Sequence, residues 1–256
     1  IHSAAGNDSS GSDAPDFKGS IWVDNSNSAD LTILKTGTGE QILSGKIDLA
    51  DAGTNNASSY LDIHAGKVIL KPDTGKTQKF EFLTGESGAN LTLDNSDEGT
   101  QTIELGFANT STTQTFSGTV ILMGGGTANT IKVVSDTAKT SENYDKEQVL
   151  SGIISGDETL TKSGLGRLML SGDNTFALDG GDPDVIINDG TLVAAHADAL
   201  GGANQVVINK GKLELGDGNN GAVTLDTGVT VVGSASGKSI VGGDGTITNL
   251  TLGDGS

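Results

Sequence analysis

One short pattern recurs along the whole chain and limits what it can fold into: a glycine, one spacer, then apolar residues at alternate positions. It reads Gly19-Ser-Ile-Trp-Val, Gly45-Lys-Ile-Asp-Leu, Gly66-Lys-Val-Ile-Leu, Gly118-Thr-Val-Ile-Leu, Gly166-Arg-Leu-Met-Leu, Gly190-Thr-Leu-Val, Gly211-Lys-Leu-Glu-Leu and Gly245-Thr-Ile-Thr, with looser copies from Gly88 and Gly228. If the 48 residues from Gly118 to Gly166 count as two steps, ten steps averaging about 23 residues join Gly19 to Gly245, a repeat period. The alternation signals short strands with one buried face. Between them lie Gly, Asn, Asp, Ser and Thr, the residues of turns. No stretch has a 3.6-residue apolar stripe; residues 135–150 are the one weak candidate for a short helix. Strands of ~3–5 residues cannot build a two-layer core alone, but coiled round one axis each can pair with its counterpart a turn later, ~4.8 Å away. The expected fold is therefore all-β, a right-handed parallel β-helix of about ten rungs spanning roughly 50 Å. A β-sandwich also has many short strands, but does not require one glycine-led motif at steady steps.

Composition fits a thin solenoid. Aromatic residues make up 4% of the chain, and a narrow interior suits Val, Ile and Leu. Zero cysteines exclude a disulfide framework, a thiol nucleophile and Cys-ligated metal. The net charge is −18 and Arg167 is the sole arginine, so phosphate backbones and anionic lipid would be repelled. Neither nucleic-acid binding nor direct membrane insertion is expected, since no apolar run approaches the ~18 residues of a span. There is no basic-then-apolar leader, so an exported protein would be represented here by a mature or excised piece. Residues 1–16 are Ser, Gly, Asp and Ala with little to bury, and read as a disordered tail or linker. The β-helix is expected over 17–256, with a polar loop at 51–59 and an excursion from the shaft at 124–150. That excursion carries Lys139, Glu142, Tyr144, Asp145, Lys146 and Glu147 without apolar alternation, and is the expected partner-binding element.

The segment Leu150-Ser-Gly-Ile-Ile-Ser-Gly-Asp-Glu-Thr-Leu-Thr-Lys-Ser-Gly-Leu-Gly-Arg-Leu-Met-Leu-Ser-Gly-Asp-Asn-Thr-Phe176, continuing to Ile187-Asn-Asp-Gly-Thr-Leu-Val193, closely resembles the autotransporter-associated β-strand repeat. A more worn copy starts at Leu34-Lys-Thr-Gly-Thr-Gly-Glu-Gln-Ile-Leu-Ser-Gly45 and ends at Ile63-His-Ala-Gly-Lys-Val-Ile-Leu70. The longer copy departs from the repeat at Arg167, at Met169 and between Phe176 and Val185. The resemblance implies a passenger domain of a type V secreted bacterial protein: a right-handed β-helix stalk on the cell surface or released from it. It also implies a C-terminal β-barrel in the parent chain.

Catalytic chemistry has few carriers. His2, His64 and His196 are the only histidines, and none has an HExxH-type partner. No Gly-x-Ser-x-Gly elbow occurs, although a Ser–His–Asp triad of distant members stays open. Asp179, Asp182 and Asp184 cluster in one turn, and Asp94, Asp97 and Glu98 in another. Such carboxylates could serve as a glycosidase acid–base pair or as calcium ligands, with Asp179, Asp182 and Asp184 the calcium candidates; Asp-Gly-Gly-Asp is equally ordinary turn chemistry. Gly242-Gly-Asp-Gly245 resembles a calcium-binding nonapeptide but lacks its later Asp and does not recur. Gly164-Leu-Gly166 is no phosphate loop, because no helix follows. No cofactor is expected.

What remains is a surface, because outward rung positions carry Thr, Asn, Ser, Asp and Lys in ladders along the shaft. The expected function is a non-catalytic cell-surface stalk or adhesin in attachment or self-association. Its partners would be host or bacterial surface glycans or proteins, or the same protein on a neighbouring cell. Two alternatives remain open: a glycan-degrading β-helix enzyme (a polysaccharide lyase or hydrolase), and a toxin stalk of the vacuolating-cytotoxin kind.

Overall fold

The computed structural model describes residues 16–22, 31–49, 59–72, 78–96, 102–105, 112–124, 129–133, 146–176, 183–202, 205–216, 222–231 and 239–252. Among these there is no helix. The strands are β1 Asp16–Phe17, β2 Ile21–Trp22, β3 Thr32–Lys35, β4 Glu40–Leu43, β5 Ile47–Asp48, β6 Tyr60–Ile63, β7 Gly66–Leu70, β8 Gln78–Lys79, β9 Phe82–Gly85, β10 Ala89–Asp94, β11 Thr102–Leu105, β12 Thr112–Phe116, β13 Thr119–Met123, β14 Asn129–Val133, β15 Lys146–Leu150, β16 Ile154–Gly156, β17 Leu160–Ser163, β18 Arg167–Leu170, β19 Val185–Ile187, β20 Thr191–Ala194, β21 Gln205–Ile208, β22 Gly211–Leu215, β23 Val223–Val231, β24 Ser239–Gly243 and β25 Gly245–Leu252. Every pairing between them is parallel. They form three sheets. The first face is β1-β4-β7-β10-β13-β16, the second runs from β2 through β5, β8, β11, β14, β17, β19, β21 and β23 to β25, and the third from β3 through β6, β9, β12, β15, β18, β20 and β22 to β24. This is a parallel β-solenoid.

The core is a set of vertical stacks made by the register. On the second face, Ile21, Ile47, Gln78, Ile103, Ile131, Lys162, Ile187, Ile208, Val231 and Leu252 lie one above another. On the third, Gln148, Leu168, Leu192, Leu213 and Val241 do the same. Stacking identical or similar β-branched and Leu side chains at the strand spacing gives each a neighbour above and below, which is why so thin an interior excludes water. Phe80, Phe116 and Phe176 are each completely buried.

The solenoid changes shape along its length. The chain visits all three faces for six turns, then alternates between the second and third, so those faces carry ten and nine strands against six on the first. The expected ten rungs are met on one face only. Beyond β16 the first side continues as turns stitched by Asn174, whose Oδ1 accepts from the Ile154 amide at 2.7 Å and whose Nδ2 donates to the Ala199 carbonyl at 2.6 Å. The Thr175 amide adds a bond to the Ile154 carbonyl at 2.9 Å. Asparagine's amide here does the work of a peptide group where no strand is present.

Two sequence readings need correction. Within 124–150, read as an excursion, 129–133 and 146–150 are shaft strands: β14 pairs with β11 and β17, and β15 with β12 and β18. Residues 134–145 between them lie outside the described residues, as do 1–15, while Asp16 belongs to β1 rather than a tail. Nor does every step between motif glycines measure a single turn, although those from Gly166 to Gly190 and from Gly190 to Gly211 do. Gly66, Gly166 and Gly245 lead strands of the first, third and second faces respectively, and true turns run from 20 residues (Glu147 to Arg167) to 34 (Thr112 to Lys146). Turn length varies while the strands keep their parallel register.

Candidate functional site

The two repeat copies build the same corner twice. Lys162 stands in the inward stack between Ile131 and Ile187, with no exposed surface. Its ammonium donates to the carbonyls of Ser163 (2.7 Å), Gly164 (2.7 Å) and, one rung on, Asp189 (3.2 Å). Lys35 does likewise to Gly37 and, one rung on, to Ala65 at 3.2 Å. Each one-rung carbonyl precedes a glycine with positive φ, Gly66 at 75° and Gly190 at 65°. A Cβ on Gly66 would lie 2.3 Å from the Gly37 oxygen, and one on Gly190 2.3 Å from the Gly164 oxygen. Only glycine satisfies both the conformation and the close approach. The Lys-x-Gly-x-Gly run and the later glycine thus form one staple between rungs. Burial lowers the Lys35 pKa, and pushes that of Lys162 down to about 7 against the raising pull of the Asp189 charge.

The outward faces carry charge in ordered rows. On the second face Asp48, Lys79, Glu104 and Lys132 are in register, and Glu104 lies 3.7 Å from Lys79 and 3.2 Å from Lys132. Glu40–Lys67 (2.9 Å) and Lys71–Asp94 (3.5 Å) line the first face. On the third, Arg167 joins Glu147 of β15 to Glu214 of β22, 2.9 Å away, reaching over β20 to do so. Burial works against the charged form of Glu214, but hydrogen bonds from Lys212 and Arg167 and their charges outweigh it and hold its pKa low. Asp94 follows the same logic through Ser96 and Lys71. Beside the charged row of the second face runs an uncharged one: Thr102, Thr130, Thr161, Ile186, Val207, Thr230 and Thr251, in register across seven strands.

The residues singled out from sequence are not brought together. His64 is a surface side chain with Nε2 2.9 Å from Asp62 and Nδ1 3.5 Å from Glu86. His196 accepts from the Asp198 amide at 3.1 Å, in the turn that follows β20. Neither ring bonds a serine or threonine among the described residues. Asp184 is buried, and its Oδ2 accepts from the Gln205 amide at 3.1 Å, extending the β19–β21 ladder. Asp179, Asp182, Asp97, Glu98 and His2 lie outside the described residues, as do Lys139, Glu142, Tyr144 and Asp145. Lys146 opens β15, its backbone paired with Thr112. Among the described residues no three His, Asp or Glu side chains are grouped as metal ligands.

Sequence reasoning missed three buried polar side chains that hold the shaft. Besides Asn174 these are Gln78, which donates to the Leu43 carbonyl at 2.6 Å, and Gln148, whose amide meets both the N–H (3.2 Å) and the C=O (2.9 Å) of Leu83. Gln148 substitutes for a peptide group where β9 and β12 pair only at Gly85 and Phe116. A glutamine at an inward, alternate position was the available signal. The fold and these features define the chain as a parallel β-solenoid with polar staples inside and ordered ionic rows outside. No family model, no curated protein and no solved structure matches the chain.

Proposed function

We propose that this chain is a non-catalytic surface passenger: a stalk that makes adhesive contact along its length, on the cell surface or released from it. The observation that carries the reading is the uncharged β-branched row from Thr102 to Thr251, a straight rail on a chain of net charge −18. A methyl group on each of the seven strands and a hydroxyl on five of them, of which only Thr161 is buried, suit many weak contacts with an extended glycan or protein surface. The resemblance to the autotransporter repeat supports the same conclusion, since its motif residues Lys35, Gly66, Lys162 and Gly190 serve the shaft rather than a reaction. A parent chain with a C-terminal β-barrel follows from that resemblance, and the full-length reading frame tests it.

The functional test is display of the chain on a bacterial surface, scored for cell aggregation and for adhesion to glycan- and protein-coated supports. Val207→Lys with Thr230→Lys charges the rail without touching the core, and should reduce adhesion while leaving the melting temperature unchanged. Adhesion equal to that of the unaltered chain would remove the rail from the proposal. Turnover of any polysaccharide in a panel assayed with and without calcium would replace the stalk by a glycan-degrading enzyme.

A further inference from the structure

The second face changes character along its length. From β5 to β14 the row beside the rail is charged, with Asp48, Lys79, Glu104 and Lys132 in register. From β17 onward the same row carries Ser163, Asn188 and Asn209, so both rows are uncharged there. The two asparagines form a ladder in which Asn209 Nδ2 donates to Asn188 Oδ1 at 2.8 Å. The other half of each amide, Asn188 Nδ2 and Asn209 Oδ1, takes no partner among the described residues. Beside the amides, Ile186, Val207 and Thr230 continue the rail, each half-buried. The cations that border this strip are paired, Lys132 with Glu104 at 3.2 Å and Lys210 with Asp189 at 3.3 Å.

We propose that the strip from β17 to β23 binds an extended, uncharged β-1,4-linked glycan, with its sugars following the rungs. This rests on the adhesive reading of the rail and names the ligand of that surface. Charge selects the class, because a polyanion would meet a chain of charge −18 on a strip with no cation to spare. Register selects the linkage. The strip crosses β17, β19, β21 and β23 without a shift, so it is straight, and β-1,4 linkage keeps a glycan straight with about one pyranose ring per strand spacing. A sugar hydroxyl both donates and accepts, which an amide row matches with N–H and C=O groups. The methyl groups of Ile186 and Val207 lie where the C–H edges of the rings would pack. A protein partner is disfavoured because the strip has no aromatic or arginine side chain, the usual anchors of protein interfaces. A second copy laid on it would bring two chains of charge −18 side by side. A flat face covers little of each sugar, so affinity is weak per ring and accumulates along the chain.

Amide-shift titration by nuclear magnetic resonance tests this, using cello-, manno- and N-acetylated chito-oligosaccharides of increasing length. Oligomannuronates, which are β-1,4-linked but anionic, are the control, and Asn188→Ala with Asn209→Ala is the variant. Both asparagines are at the surface, so the variant should melt within about 2 °C of the unaltered chain. The expected affinity for at least one neutral series rises at least tenfold from two sugars to four and levels off once the four strands are covered. The mannuronates and the variant should each show a loss of at least tenfold. Four results would overturn the proposal: no neutral series binds, mannuronates bind as tightly, the folded variant binds equally well, or affinity ignores chain length. If no sugar binds while Val207→Lys with Thr230→Lys still lowers adhesion to protein-coated supports, the ligand is wrong and the rail stands.

Discussion

Replacing Lys162 with methionine changes how the stability of this protein depends on pH, and the size of the change follows from the corner it occupies. In the unfolded chain the amine titrates at its ordinary 10.5; in the folded solenoid burial brings it to about 7. Between those values the unfolded state holds a proton that the folded state has lost, so unfolding takes up a proton and alkali opposes it. Stability therefore rises with pH through this window, by at most ~1.4 kcal/mol per pH unit. From pH 6 to pH 9 the gain is about 3 kcal/mol, or roughly 5–10 °C in melting temperature for a chain of this size. Lys35, whose pKa burial also lowers, adds a rise of the same sign, so the share of Lys162 is the difference in slope between the unaltered chain and the variant.

Methionine fits the aliphatic stack between Ile131 and Ile187 but donates nothing to the three carbonyls. Each acceptor left unpaired and buried costs about 1–3 kcal/mol, a loss that is independent of pH. Lys162→Met should thus be less stable than the unaltered chain at pH 9, with a smaller difference at pH 6, where the unaltered chain bears the cost of a buried ammonium. Urea midpoints followed by far-ultraviolet circular dichroism at pH 6, 7.5 and 9 measure both slopes. A midpoint that stays flat in the unaltered chain, or rises equally in the variant, refutes the reasoning. The carbonyls would then compensate the ammonium fully, and its pKa would be near ordinary.

Leu213 is fully buried between Leu192 and Val241, so Leu213→Asp should cost about 4 kcal/mol or more by placing an unpaired carboxylate in the core, read as a lowered urea midpoint. Asn174→Ala leaves the Ile154 amide and the Ala199 carbonyl unpaired, and should cost roughly 2–5 kcal/mol, with faster amide exchange at Ile154 as the local signature. Replacing 135–145 by a short Gly-Ser link, stopping before β15, should leave the melting temperature within about 2 °C and tests whether Lys139, Glu142, Tyr144 and Asp145 contribute to adhesion.

The alternation of apolar residues was enough to read the class of fold, because in a solenoid each strand must show one face to a narrow interior and the other to water. Register was not readable, because it depends on turn lengths that vary from 20 to 34 residues. The network at Arg167 shows the consequence. Glu147 and Glu214 lie 20 residues before and 47 after it in sequence, and nothing local indicates that one guanidinium meets both. The strands β14 and β15 were read as an excursion for a different reason. Asn129-Thr-Ile-Lys-Val133 alternates, whereas Lys146-Glu-Gln-Val-Leu150 puts two adjacent apolar residues after three polar ones, and no glycine stands immediately before either. The glycine-led motif was therefore sufficient for a strand and not necessary. The inward polar residues escaped for a third reason, since Gln78, Gln148 and Lys162 break the apolar pattern they complete.

The two copies of the repeat show what the motif encodes. Lys162 closes a strand of the second face and leads into the third, whereas Lys35 closes a strand of the third face and leads into the first. The same seven-atom reach from Cα to the carbonyls of its own turn and of the next rung is used at different corners. The motif therefore specifies a corner and its link to the rung above, with no information about which face it borders. This follows from its hydrogen bonds, all of which go to backbone carbonyls of the turn and none to a side chain peculiar to one sheet. Such a unit can be copied anywhere along a solenoid, and a worn copy survives while the lysine and its three glycines persist. In the first copy these are Lys35, Gly37, Gly39 and Gly66; in the second, Lys162, Gly164, Gly166 and Gly190. Outward positions between them contribute nothing to the staple, which leaves them open to diverge into the charged rows and the uncharged rail.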